Sequence, residues 1–284
     1  MLFRSGIDNN CNGLTDEPPA TCDRNLAFAT GNPLDLASAM EICPDQFLIT
    51  AELAVLANPS AKSVPSNYGI FTPRAGSNFV ALSTGVAAAE NQPGYRSPQG
   101  GTSFNTMAPN PYLMGNNCGG PDTTPVYDYS ELALTLKVPT NARSLAFDFN
   151  FLSTEFPEYV CTHFNDKFLA LLTSRAVRNG VETNISFDAR GSPVTINNGF
   201  FTVIDQPSLA GTGYELFDAK VGGPAGAATG WLTTTTPVQP GEVILLRFIV
   251  FDEGDHILDS AVILDHVRWL LQPAQGGPST VRSM

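Results

Sequence analysis

Leu132-Ala133-Leu134-Thr135-Leu136-Lys137-Val138 and Ser144-Leu145-Ala146-Phe147-Asp148-Phe149-Asn150-Phe151, joined by Pro139-Thr140-Asn141-Ala142-Arg143, decide the fold. Leu132, Leu134, Leu136 and Val138 alternate with smaller or polar residues, and so do Leu145, Phe147, Phe149 and Phe151. Period two puts alternate side chains on opposite faces, so each run reads as a strand with one buried face. The Pro-Thr-Asn linker supplies the turn between them.

Working outward, Asn78–Leu82, Phe168–Leu172, Phe200–Ile204, Val243–Phe251 and Ser260–Leu270 read as further strands. Gly211-Thr212-Gly213, Gly222-Gly223 and Pro240-Gly241 punctuate them. Leu34, Leu36, Ala37, Met40 and Ile42 predict a short helix that starts near Asn32 or Asp35 and stops at Cys43-Pro44. Residues 57–125 are rich in Pro, Gly, Ser and Asn, and 94–124 reads as an exposed excursion. The expected fold is all-β: a β-sandwich, jelly-roll-like, with long loops and one or two short helices. The expected division is a loop and linker at 1–20, a sandwich at 21–272 and a flexible tail at 273–284.

Composition agrees. Of 284 residues, 15% are charged and 43% apolar, with 25 Gly and 22 Pro. Soluble chains average about 25% charged residues. Eighteen Phe and seven Tyr supply enough burial to exclude disorder. The net charge of −12 repels phosphate backbones, so nucleic acid is not an expected partner, and it favours divalent cations. No stretch approaches the roughly 20 apolar residues of a spanning helix. Met1-Leu2-Phe3-Arg4 lacks the apolar core of a signal peptide, which suggests a chain that begins inside a longer protein.

The five cysteines are Cys11, Cys22, Cys43, Cys118 and Cys161, with no Cys-x-x-Cys pair of the kind structural zinc uses. Disulfides in an extracellular or cell-surface setting are the better reading. Cys118 and Cys161 flank the strands that begin near Tyr127 and Phe168. A Cys118–Cys161 bridge would tie the 94–124 excursion to the acidic loop after Phe151. Cys22–Cys43 would span the linker and first helix, and Cys11 is then free unless it takes Cys22.

Three acidic constellations carry the chemistry. In Asp8-Asn9-Asn10-Cys11-Asn12-Gly13-Leu14-Thr15-Asp16-Glu17, oxygen side chains recur at Asp8, Asn10, Asn12, Asp16 and Glu17, Gly13 allows a sharp turn, and Leu14 offers its carbonyl. Hard oxygen donors wrapped round one point suit calcium. The run resembles the short metal-binding motifs of myxobacterial and other bacterial secreted proteins. The second constellation is Glu155, Glu158, Asn165 and Asp166 in one strand connection. The third is Asp255, Asp259 and Asp265 around another. These two are expected to meet at one end of the sandwich, where several like charges would need a cation between them. If Ala261, Ile263, Val267 and Trp269 face the core, Asp265 faces it too. It must then accept backbone N–H bonds, meet Arg247, or bind a metal.

Phe151-Leu152-Ser153-Thr154-Glu155-Phe156-Pro157-Glu158-Tyr159, Phe164-Asn165-Asp166, Gly230-Trp231-Leu232-Thr233, Pro240-Gly241-Glu242 and Asp252-Glu253-Gly254-Asp255 through Asp259-Ser260-Ala261-Val262 occur in that order. Together, over roughly residues 34–271, they resemble the choice-of-anchor L domain of bacterial surface proteins. The resemblance implies an extracellular β-sandwich without established enzymatic activity, carried by proteins that attach to the envelope through differing anchors. This chain ends at Ser283-Met284 without a sorting signal. The expected function is a calcium-stabilised, non-catalytic adhesion or structural module whose partner is the cell envelope, a matrix protein or a glycan. Carbohydrate binding is the alternative, with Tyr95, Tyr112, Tyr127 and Tyr129 as stacking candidates. Weaker still are a Glu155/Glu158 hydrolase pair, a His256–Asp259 pair and zinc on His163, His256 and His266.

Overall fold

The computed structural model describes residues 22–283 except 45–46, 102–103, 105–106, 108–117, 119–125 and 219–222; the side chains of 55 and 216–225 are also left undescribed. In chain order the helix α1 (Pro33–Ala39) precedes β1 (Leu48–Val55), β2 (Lys62–Ser63), β3 (Val80–Ser83), β4 (Tyr127–Lys137) and β5 (Ser144–Ser153). Then come β6 (Lys167–Thr173), β7 (Thr183–Asn184), β8 (Val194–Thr195), β9 (Leu216–Asp218), β10 (Gly223–Ala225) and β11 (Ala227–Ala228). β12 (Leu232–Pro237), β13 (Val243–Asp252), β14 (Ser260–Leu270) and β15 (Ser279–Arg282) complete the chain.

Two antiparallel sheets form a β-sandwich. One runs β1-β4-β13-β6-β7, with β8 also on β6; the other runs β15-β12-β5-β14-β3-β2, with β11 also on β5. The alternation read in β4 and β5 sets the packing. Leu132, Leu134 and Leu136 meet Leu145, Phe147, Phe149 and Phe151 across the core, joined by Phe168, Leu246 and Phe248. Phe147 and Phe248 lie edge-to-face at 5.0 Å across the two layers. The β5 sheet is also covered outside, where Tyr68, Phe79, Leu152, Tyr214 and Ile263 form a second cluster. That second cover explains why every residue of β5 is buried.

α1 begins where expected. The Asn32 side chain accepts a hydrogen bond from the Leu34 N–H, and Pro33 occupies the first turn, where its missing N–H costs nothing. Two expectations fail. Phe200–Ile204 forms no strand: Val203 makes one bridge to Ala228, while Phe201 packs on Phe151 and Phe156. The expected tail contains β15, which pairs with β12 from Leu232↔Arg282 to Thr235↔Ser279 and closes one edge of its sheet.

Candidate functional site: a buried carboxylate seam

Two connections cross between the sheets side by side. β5 leads through residues 154–166 into β6 of the opposite sheet, and β13 returns through residues 253–259 into β14 beside β5. Ser153 pairs with Ser260 in one sheet and Lys167 with Phe251 in the other, so both crossings lie at the same end of the sandwich. That register brings together carboxylates far apart in sequence.

Hydrogen bonds then lock the crossings to each other. Glu155 Oε2 accepts the Asp166 N–H at 3.2 Å, and Asp166 Oδ1 accepts the Glu253 N–H at 3.1 Å. Asp166 Oδ2 accepts the Ser260 hydroxyl at 2.6 Å. The Asp259 carbonyl accepts the Thr154 hydroxyl at 3.1 Å. Glu155, Asp166, Asp252 and Asp259 are each no more than 2% exposed. The buried Lys167 ammonium pairs with Glu253 and lies 5.9 Å from the Phe251 ring centre.

Asp252 differs from its neighbours. Neither of its carboxylate oxygens makes a hydrogen bond of good geometry, although the residue is 1% exposed and the Thr84 hydroxyl and Asp166 carboxyl stand beside it. Burial, with the charges of Asp166 and Asp259, pushes its carboxyl well above the usual range. Burial and the Asp166 charge do the same to Glu155. Burial pushes Asp166 up to about 7 against hydrogen bonds that favour its charged form. Among the described residues, no group of three or more His, Cys, Asp or Glu side chains is placed to hold a metal ion.

Of the residues singled out by sequence, Glu155, Asn165, Asp166, Asp255 and Asp259 gather at this end. Asp255 is half-buried, and its charge reaches Glu155 and Asp166. Asn165 Oδ1 accepts from the Asn197 side chain at 2.9 Å. Glu158 is exposed on the turn after Pro157. Asp252 and Glu253 were not singled out. A signal for Asp252 existed: Ile244, Leu246, Phe248 and Val250 face the core, and the next step of that alternation is Asp252.

Asp265 lies elsewhere. Val262 and Leu264 join the main core, whereas Ala261 and Ile263 join the outer cluster. Asp265 therefore falls on the outer face, and a register shift between Asp265 and Arg268, with His266 at φ 54°, returns Val267 to the core. Asp265 is nonetheless fully buried and accepts backbone N–H bonds from Ala75 at 3.3 Å and His266 at 2.6 Å, and from Arg74. Arg247 is on the other sheet, held by Glu131 at 2.6 Å and Glu182 at 3.0 Å.

The structure contains the Cys22–Cys43 and Cys118–Cys161 disulfides, with Cα–Cα distances of 5.6 and 5.3 Å. Cys161 sits in the β5–β6 crossing. The start of the 94–124 excursion docks on the other crossing: the Asp259 N–H donates to the Pro98 carbonyl at 3.0 Å. At Gly101, an added Cβ would lie 1.5 Å from the Ile257 carbonyl oxygen, so only glycine fits that approach.

The histidines are dispersed among other partners. His163 packs on Phe164, His256 on Tyr127, and His266 Nδ1 lies 3.1 Å from Asp148. Tyr129 is buried against Phe251, and Tyr95 lies against Gly213. Asp8, Asn10, Asn12, Leu14, Asp16, Glu17 and Tyr112 fall outside the described residues. An open groove of about 850 Å³ is bordered by Phe28, Asn67, Ile70, Asn78, Glu90 and Gln92, among others.

The model of the choice-of-anchor L domain matches residues 43–267. The chain belongs to the choice-of-anchor L family. Within this choice-of-anchor L domain, both sheet crossings fall inside the matched span. No curated protein matches the sequence. Among solved structures, the K2 cleaved adhesin domain of Lys-gingipain is 12% identical, with a TM-score of 0.33 over 78% of this chain and 87% of that one. A carbohydrate-binding module specific for non-crystalline cellulose is 11% identical, with a TM-score of 0.31 over 77% of this chain and 86% of that one.

Proposed function

We propose that the domain is a non-catalytic, calcium-stabilised module of an extracellular or cell-surface bacterial protein, structural or adhesive in role. One observation carries the reading: the acidic groups are built into the seam between the sheets rather than into an open site. Hydrolysis by paired carboxylates needs two of them facing a bound substrate. Here Glu155 is buried and bonded to backbone while Glu158 points to solvent. The groove lining carries one carboxylate, Glu90, beside amide side chains. Two disulfides and membership of a surface-protein family fit an oxidising, envelope-associated setting. Calcium fits the excess of buried carboxylates and the Asp8–Glu17 run.

The amide-lined groove favours a neutral, hydroxyl-rich ligand as a second reading, a glycan rather than a charged polymer. Tyr129 and Tyr95 do not add to it, because both are packed into the fold. The test is binding of the labelled protein to a glycan array and to immobilised envelope and matrix proteins, with product release monitored in parallel. Saturable binding without turnover is expected. Turnover of any bound substrate would overturn the non-catalytic reading.

A further inference from the structure

We propose that Lys167 and Glu253 are joined covalently: the Lys167 Nζ condenses with the side-chain carboxyl carbon of Glu253, and the resulting amide ties β6 to the end of β13. The inference stands apart from the adhesive and calcium readings above.

The sheet places the pair. Lys167 lies opposite Phe251 in the β6–β13 ladder, so the two side chains leave the sheet on the same face. Phe251 belongs there to an apolar cluster with Tyr129, Leu169, Leu171 and Ile249. Two residues on, Glu253 brings its carboxylate back to the Lys167 ammonium. Its backbone is clamped on both sides: the Glu253 N–H donates to Asp166 Oδ1 at 3.1 Å, and its carbonyl accepts the Asn165 N–H at 3.3 Å. Both reacting groups thus hang from backbone that is fixed to the other's strand connection. Reactants held in this way behave as if at an effective molarity on the order of 10⁵ M or more.

Burial is the second observation. The Lys167 side chain is 0% exposed and that of Glu253 is 1% exposed. Lysine is almost never buried so completely, and a buried ion pair loses much of its attraction to the hydration it gives up. Nζ lies 5.9 Å from the Phe251 ring centre, and that ring is stacked on Tyr129 at 6.1 Å. Condensation removes both charges from this apolar layer at once.

The chemistry balances within the pair. The ammonium passes one proton to the carboxylate, leaving a neutral amine and a neutral carboxylic acid. The Nζ lone pair attacks Cδ and forms the N–C bond. The C–OH bond breaks, and the hydroxyl leaves as water with a second proton from the nitrogen. One ammonium and one carboxylate become one amide and one water, with no oxidant, reductant or co-reactant. The bond closes a loop with a sequence separation of 86. It restricts the unfolded chain as a disulfide does, and no reductant opens it.

The test is intact-mass spectrometry of the full chain, denatured and with its disulfides reduced, followed by peptide mapping. Wild type should weigh one water less than its sequence, and the map should contain a branched peptide that links Lys167 to Glu253. Lys167→Arg keeps the positive charge but cannot form this amide, so it should show its full sequence mass. The wild-type readings decide the matter whether or not that variant folds. A wild-type chain of full sequence mass, or a water lost at other residues, would leave only an ion pair and overturn the bond. So would the same loss of water in Lys167→Arg.

Discussion

The carboxylates of Glu41 and Asp265 face each other between the Cys22–Cys43 loop and the outer face of β14. Asp23 joins them. A Cβ placed on Gly76 would lie 2.3 Å from Asp23 Oδ2 and 2.7 Å from Glu41 Oε1, so both carboxylates converge on that glycine. Burial, with the charges of Asp265 and Asp23, pushes Glu41 up to about 9. Burial pushes Asp265 up to about 6, against backbone N–H bonds and the neighbouring His266.

Stability should therefore fall as the pH rises across this window. Below about pH 4 both the folded and the unfolded chain hold these protons, and the pair carries no penalty. Between there and the folded values, the unfolded chain releases protons that the folded chain keeps, so stability drops with rising pH. Arg74, His266 and Arg268 line the same face through Asp148, and they oppose the trend only in part. Glu41→Gln should melt several degrees above wild type at pH 8, and the gap should shrink toward zero near pH 4. Urea melts at the two pH values read this directly, and a gap that stayed constant would remove Glu41 from the explanation.

Arg247 holds the outer face of the β4–β13 sheet. It reaches Glu131 through Nε at 2.6 Å and Nη2 at 2.8 Å, and the Tyr129 hydroxyl donates to the same carboxylate at 2.7 Å. Arg247→Ala leaves a buried Glu131 uncompensated and should cost about 3 kcal/mol. Arg247→Ala combined with Glu131→Gln should recover part of that loss. Chemical denaturation of the four proteins in the cycle measures the coupling; no recovery would mean that the loss comes from packing of the arginine stem.

Phe147→Ala removes a ring that is 1% exposed and edge-to-face with Phe248 at 5.0 Å. A loss of about 3–5 kcal/mol is expected, because neighbours in a two-layer core cannot close the space. A loss below about 1 kcal/mol, the size of an ordinary surface change, would contradict that core placement.

The Cys22–Cys43 bridge closes a loop with a sequence separation of 21 around α1. Replacing both cysteines with serine should cost about 3 kcal/mol. It should also loosen Asp23 and Glu41, which sit beside the two sulfurs in sequence. Non-reducing peptide mapping should recover Cys22–Cys43 and Cys118–Cys161 as cross-linked pairs; an alkylated Cys118 would break the second.

What sequence could reveal follows from the physics of each element. β4 and β5 were legible because alternate residues face a dry core, and that periodicity survives any choice of neighbour. Phe200–Ile204 is as apolar as a strand, yet an apolar run does not specify a pairing partner, and Phe201 is satisfied by Phe151 and Phe156. β15 has the opposite character: Ser279–Arg282 is polar and pairs through its backbone at a sheet edge. Asp265 was read onto the wrong face because the shift beside it is marked by no glycine or proline, only by His266 at φ 54°. The meeting of the two acidic crossings is legible because both are carboxylate-rich connections between strands. Asp252, a buried member of the seam, ends a strand that otherwise reads as apolar.

Calcium titration calorimetry on the chelator-stripped full chain, wild type against Asp8→Asn with Asp16→Asn, tests calcium stabilisation most directly. Wild type should bind calcium, and the double variant should bind at least one ion fewer per chain. A wild-type chain that binds no calcium would contradict the calcium-stabilised reading.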